Sequence, residues 1–254
     1  MKTKQNIKRI SGIKFAAALA LLAFAFASGC GASDARPEYI TIAGERISTD
    51  ETTLDLGRRG LTDSDIEDLR HMHNLEVLSI MWNGISDLAP LAELRNLRLL
   101  LANENRIADL GPLSGLESLR ELYLDGNIIA DLSPLEGLEN LELLFVNENP
   151  IHDVAPLAGL AGLRQLMLFG TFVTDIEPLA NLTELNGLSL AKTGITDISH
   201  LGAMQGLTDL GLDWNAISDI SVLASLPNLE HVSLAGNPVE DWSHVAHVPN
   251  VYRE

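Results

Sequence analysis

The sequence predicts an α/β solenoid: a stack of short repeats with a parallel β-sheet along its concave face and short helical or 3-10 turns along its convex face. Three observations predict it. Hydrophobic residues make up 46% of the 254 residues and aromatics only 5%, so aliphatic side chains have to fill the core. Leucines recur with a period of 22 residues. Inside each period, a strand-like alternation and a turn-forming residue always fall in the same order.

Steps of 22 place Leu75, Leu97, Leu119, Leu141, Leu163, Leu185, Leu207 and Leu229 in one column. Three residues on stand Leu78, Leu100, Leu122, Leu144, Leu166, Leu188, Leu210 and Val232. Two further stand Ile80, Ala102, Leu124, Val146, Leu168, Leu190, Leu212 and Leu234. The alternation from the second column to the third is the period of a β-strand, with aliphatics inward and the residues between them outward. The next column reads Asn83, Asn105, Asn127, Asn149, Thr171, Thr193, Asn215 and Asn237. A carboxamide there can satisfy backbone groups where the chain leaves the strand, and equal positions can stack as a ladder. Threonine offers a single hydroxyl, so the turns at 171 and 193 should be less well satisfied. An Asp such as Asp87, followed by proline, suits the start of a short helical turn. A single repeat cannot bury its apolar edge; stacking buries it against neighbours.

The pattern Leu-x-x-Leu-x-Leu-x-x-Asn-x-Ile-x-Asp-Leu-x-Pro-Leu-x-x-Leu covers about residues 54–248. It resembles the 22-residue internalin-like class of bacterial leucine-rich repeats. The resemblance implies a right-handed horseshoe and, for the class, binding of host or surface proteins. It says little about the individual ligand, because fold does not determine function.

The first 29 residues carry five bases and no acid, then the apolar run Phe15 to Phe26 and the small residues Ala27, Ser28 and Gly29. The run of about 12 residues is too short for the roughly 20 that span a bilayer. The order reads as a secretory signal peptide over 1–29. Ala27-Ser28-Gly29-Cys30 resembles the lipobox of bacterial lipoproteins, with Ala27 where leucine is typical. The resemblance implies that Cys30, the single cysteine, is lipidated and anchors the chain to a membrane. Residues 30–37 then form a short tether. Removal of the leader leaves 12 bases against 35 acids, net −23, with Lys192 the one remaining lysine. Such a surface repels phosphate backbones and argues against nucleic-acid binding.

Residues 38–74 read as an N-terminal cap and a first, atypical repeat. Tyr39 to Ile42 alternate before Ala43-Gly44, a hairpin signal. Thr62 and Asp65 have capping-box spacing, followed by Ile66, Leu69 and Met72 on one helical face. Residues 75–228 are the regular repeats. Residues 229–254 form the last repeat and a C-terminal cap, where Trp242, Val245, Val248 and Val251 replace leucines. The whole reads as one domain, expected to be a monomer.

Once the period is subtracted, the strand positions facing outward remain. Leu99, Leu101, Tyr123, Leu143, Phe145, Met167 and Phe169 are expected to form an exposed apolar patch on the concave face. Acids such as Glu104, Glu121, Asp125 and Glu148 surround it, and Trp82 and Trp214 stand just beyond the strands. Apolar centres with polar rims are the anatomy of protein interfaces. Cross-strand packing alone is the other explanation for aromatics at such sites. Catalysis is not expected. The aspartates at 87, 109, 131, 153, 175, 197 and 219 recur with the period and so belong to the scaffold, and no nucleophile motif or phosphate loop is present. His71, His73, His244 and His247 lack an evident third ligand, so neither metal nor cofactor is expected. The expected function is an exported, lipid-anchored module binding a protein or peptide ligand. An envelope scaffold without ligand and a glycan-binding protein with Trp82, Trp214 and Tyr123 as stacking platforms remain alternatives.

Overall fold

The computed structural model describes residues 37–254. The leader, Cys30 and most of the tether lie outside the described residues. Tyr39–Ile42 (β1) and Glu45–Ser48 (β2) pair antiparallel, with Ala43 and Gly44 at φ 50° and 81° in the turn. The remaining strands form one parallel sheet in chain order. They are β3 (Thr53–Asp55), β4 (Val77–Ser79), β5 (Leu99–Leu101), β6 (Glu121–Tyr123), β7 (Leu143–Phe145), β8 (Gln165–Met167), β9 (Gly187–Ser189), β10 (Asp209–Gly211), β11 (His231–Ser233) and β12 (Asn250–Tyr252). The register carries the period into space: Leu78 lies opposite Leu100, and Leu100 opposite Leu122. It departs from 22 at the ends, where Leu54 lies opposite Leu78 and Val232 opposite Val251.

The convex segments are all 3-10 turns among the described residues, as at Ala89–Leu91, Gly111–Leu113 and Ser133–Leu135. A 22-residue coil has little chain left once the strand and two turns are made. A tight 3-10 turn brings Leu91, Leu113 and Leu135 onto the core within a few residues. Proline takes the second position, where it loses no needed N–H. The repeated aspartates act locally, as their period implies. Asp87 Oδ1 accepts from the Ala89 N–H, and Asp109, Asp131 and Asp153 do the same two residues on. The Ser133 hydroxyl and N–H hold the Asp131 carboxyl below its ordinary range, and the N–H and hydroxyl groups of Ser199 and Ser221 do the same for Asp197 and Asp219. The Thr62–Asp65 capping box forms, but it starts 3-10 turns at Asp63–Asp65 and Glu67–His71 and no α-helix. Ile66, Leu69 and Met72 still reach the core and are fully buried.

The ladder is built as the carboxamide chemistry requires. Asn127 Nδ2 donates to the Leu124 carbonyl of its own turn and to the Ala102 carbonyl of the turn before. Its Oδ1 accepts from the Ile107 N–H. One side chain therefore ties two repeats through three bonds, in a place closed to water. At the threonines the ladder thins. Thr171 Oγ1 reaches only the Leu168 carbonyl, and the Ile151 N–H turns to the Asn149 carbonyl of its own segment. Thr193 likewise reaches only the Leu190 carbonyl among backbone acceptors. Replacing Asn127 with Ala leaves those buried groups unpaired and should lower stability by about 2–3 kcal/mol. Asn127→Thr should lose less. Urea unfolding of the two variants beside the wild type measures both; equal losses would show that the second repeat is not held by this residue.

Candidate ligand-binding surface

Tyr123, Phe145 and Met167 are cross-strand neighbours on β6, β7 and β8, as are Leu143 and Gln165 on β7 and β8. All five are half-buried, as is Phe169 just past β8. The Tyr123 and Phe145 rings meet edge to face, with centroids 4.7 Å apart and planes at 66°. Such a pair adds about 0.5–1.5 kcal/mol beyond its buried area. The Lys192 ammonium lies 5.9 Å from the centre of the Phe169 ring.

The expected patch is corrected at one end. Leu99 and Leu101 are only 6% and 8% exposed. Leu99 stands between Val77 and Glu121, and Leu101 between Ser79 and Tyr123, on a sheet whose inward curvature crowds outward side chains. They support the stripe from the side and present almost no surface. The patch shrinks to Tyr123, Leu143, Phe145, Met167 and Phe169.

The two tryptophans are 49% and 59% exposed and stand apart from the stripe. They sit six repeats apart, about 29 Å along the sheet at the usual strand spacing, so neither joins the stripe into one platform. Both occupy the position before the ladder residue, and this position is left-handed in every repeat: Trp82, Glu104, Gly126, Glu148, Gly170, Lys192, Trp214 and Gly236 all have positive φ. Glu104, Glu148 and Trp214 lie against the next turn. A Cβ on Gly236 would lie 2.7 Å from Trp214 Cε3, and one on Gly126 would lie 2.9 Å from Glu104 Cδ. The Trp214 ring thus covers the last repeat, and Trp82 takes the Arg58 guanidinium at 5.1 Å.

Two exposed residues escaped the sequence reading. Ile128 and Phe172 are 58% and 53% exposed on the flank between the ladder and the next inward Ile or Val. Phe172 stacks on His152 with centroids 5.0 Å apart. Their column runs Gly84, Arg106, Ile128, Pro150, Phe172, Gly194, which no packing demand explains; that lack of constraint was the available signal. The cap histidines face separate partners. His244 lies 3.3 Å from Asp241, and His247 Nε2 lies 3.1 Å from the Leu226 carbonyl.

The charges around the stripe are arranged unequally. Where the chain enters the strands, Arg98 faces Glu76, while Arg120 and Arg164 both face Glu142. Where it leaves them, Glu104, Asp125, Glu148 and Asp213 have no salt bridge among the described residues. Asp125 is the most enclosed of the group. Its Oδ2 accepts from Asn103 Nδ2 at 2.9 Å and its Oδ1 from the Asn147 N–H at 2.8 Å. Burial pushes its carboxyl up to about 6; the bonds from Asn147 and Asn103 pull the other way, and the Glu148 charge adds to the rise. Burial likewise raises the Tyr123 hydroxyl, helped by Glu121 and Asp125.

Residues 95–137 match the family described as Leucine Rich repeats (2 copies). Internalin C2 from Listeria monocytogenes has the same fold with a TM-score of 0.66 at 36% identity, over 74% of this chain and 84% of that one. A leucine-rich-repeat protein from Leptospira interrogans gives 0.67 at 23% identity, over 72% of this chain and 50% of that chain. The ectodomain of the Arabidopsis thaliana receptor kinase GASSHO1/SCHENGEN3 gives 0.71 at 22%, over 81% and 27%. Among curated proteins nothing matches the chain. Sheet, ladder and 3-10 turns together define a leucine-rich-repeat protein. Within that class, the chain belongs to the internalin family.

The raised Asp125 carboxyl has a consequence for stability. The folded protein holds this proton more tightly than the unfolded chain, whose aspartates titrate near about 3.9. Asp125 therefore favours the fold as pH falls from above about 6 toward about 4, and the gain is lost as pH rises through about 6. On moving from about pH 7 to about pH 4.5, the wild type should gain urea resistance relative to Asp125→Asn. A pH-independent difference between the two proteins would contradict the buried carboxyl.

Proposed function

We propose that the protein is an extracytoplasmic, lipid-anchored binding or adhesion module that holds a protein or peptide ligand on its concave face. The observation that carries this reading is the half-exposed stripe of Tyr123, Leu143, Phe145 and Met167 with Phe169 beside it. The fold does not require apolar residues there, since the same columns hold Ser79, Glu121 and Ser189 elsewhere in the sheet. An apolar centre with aromatic anchors and a charged border is what a recognition surface offers. A stack of identical scaffolding repeats has no use for it. The internalin C2 likeness supports the assignment to a class of binding proteins rather than enzymes.

The membrane part of the proposal rests on Cys30 and the leader before it. Two or more acyl chains on that cysteine would hold the protein stably, where one would bind only marginally. Cys30→Ser should abolish incorporation of labelled palmitate and release the protein from the membrane fraction; palmitate retained in the variant would remove the anchor from the proposal. For the concave face, a photoreactive phenylalanine at position 145 should give a discrete crosslinked product in the native cells. The same group at position 136, on a convex turn, should give none. Tyr123→Ser should suppress the product while the circular dichroism spectrum stays unchanged. Equal crosslinking from positions 145 and 136 would count against a concave ligand.

A further inference from the structure

Besides the sheet and the core, three kinds of bond fasten one repeat to the next. The ladder side chain is the first: Asn149 reaches back to the Leu124 carbonyl, and Asn215 to the Leu190 carbonyl. The second lies on the flank, where the Phe172 N–H donates to the Ile151 carbonyl and the Ala216 N–H to the Ile195 carbonyl. The third joins the turns before the strands, as Asn140 donates to the Glu117 carbonyl and Asn228 to the Gln205 carbonyl. Between β8 and β9 all three are missing together. Thr193 bonds within its own turn and forward to Asn215, and reaches no group of the repeat before it. The Gly194 N–H also turns forward to Asn215, and Glu184 stands where an amide would donate. Every other pair of adjacent strands in the parallel sheet is crossed by a side-chain hydrogen bond between their repeats. Residues 163–184 and 185–206 share neither such a bond nor a salt bridge among the described residues. What crosses this line is backbone and packing. The Leu168 and Gly170 N–H groups donate to the Ser189 and Ala191 carbonyls, and the Lys192 ammonium stands 5.9 Å from the Phe169 ring.

We infer that this junction is a seam built into the solenoid, at which β9–β12 open as one unit while β3–β8 stay folded. A stack of repeats is a chain of nearest-neighbour couplings, so it parts first where one coupling is weakest. At the other junctions, parting strips side-chain partners from backbone groups, which is costly where those groups are buried. At this one there are no such partners to lose. The apolar stripe from Tyr123 to Phe169 lies wholly on the N-terminal side of the line. The opening therefore shortens the concave sheet beside the stripe and leaves the Tyr123–Phe145 ring pair in place.

Native-state hydrogen exchange of the folded chain, followed by NMR at low urea, tests the seam. The Leu190 and Leu212 N–H groups bond forward within the C-terminal block, and those of Leu124 and Val146 within the N-terminal one. Leu190 and Leu212 should share one protection factor, at least about tenfold below that of Leu124 and Val146. The Leu168 N–H belongs to the repeat of β8 but bonds across the line, so it should exchange with Leu190 and Leu212. Their exchange should depend on urea more weakly than that of Leu124, because the partial opening exposes less surface. Asn127→Thr should lower protection at Leu124 and Val146 and leave Leu190 and Leu212 unchanged. Thr193→Asn supplies the missing carboxamide and should raise Leu168, Leu190 and Leu212 together. Protection that declines smoothly from β8 to β12 would mean fraying from the end and would overturn the seam. An Asn127→Thr loss felt equally on both sides of the line would do the same, since it marks a single cooperative unit. So would a folded Thr193→Asn that leaves Leu168 unchanged. The wild-type profile and Asn127→Thr decide the question even where Thr193→Asn fails to fold.

Discussion

Where the chain leaves the sheet in the repeats that carry a ladder asparagine, carbonyls from two successive turns converge on one side chain. A parallel coil of three-residue strands cannot satisfy those groups from its own ladder, and water cannot enter to do it. The carboxamide of Asn127 and its equivalents closes the gap, with donors for two carbonyls and an acceptor for a third group. This constraint is the one on which the rest depends. It holds one repeat to the next, and so creates the shared aliphatic core in which Leu78, Leu100 and Leu122 are fully buried. The residue before the ladder position is left-handed in every repeat, before threonine as before asparagine.

That left-handed column accounts for three glycines that look arbitrary in the chain. Glu104, Glu148 and Trp214 at the left-handed position lie against the turn that follows, and each of those turns has glycine: Gly126, Gly170 and Gly236. Burial raises the Asp125 carboxyl, and the charge of Glu148 from the repeat after adds to the rise. Scaffold geometry and surface electrostatics are one arrangement here. The turns that stack the repeats also gather unmatched acids along one side of the apolar stripe.

Much of this was legible beforehand because a periodic fold writes its constraints once per turn. The columns of leucine, asparagine and aspartate identified strand, ladder and turn, and the Thr171 gap in the ladder followed from the donor count of a hydroxyl. Exposure was less legible. Leu99 and Tyr123 occupy comparable outward positions, yet one is closed by its neighbours and the other is half open. The difference depends on what stands on the adjacent strands, 22 residues away in each direction.

The sequence alone therefore settled the period, the inward columns and the order of the sheet, since each follows from local patterning and the need to bury an aliphatic edge. It also singled out Tyr123, Phe145 and Met167 as residues the scaffold does not explain. Only the folded chain decided which outward residues reach the surface, that Trp214 lies against the Gly236 turn, and that Asp125 is enclosed between Asn103 and Asn147. Those outcomes come from contacts between repeats. Curvature, side-chain lean and desolvation act across the stack, and no single 22-residue unit contains them.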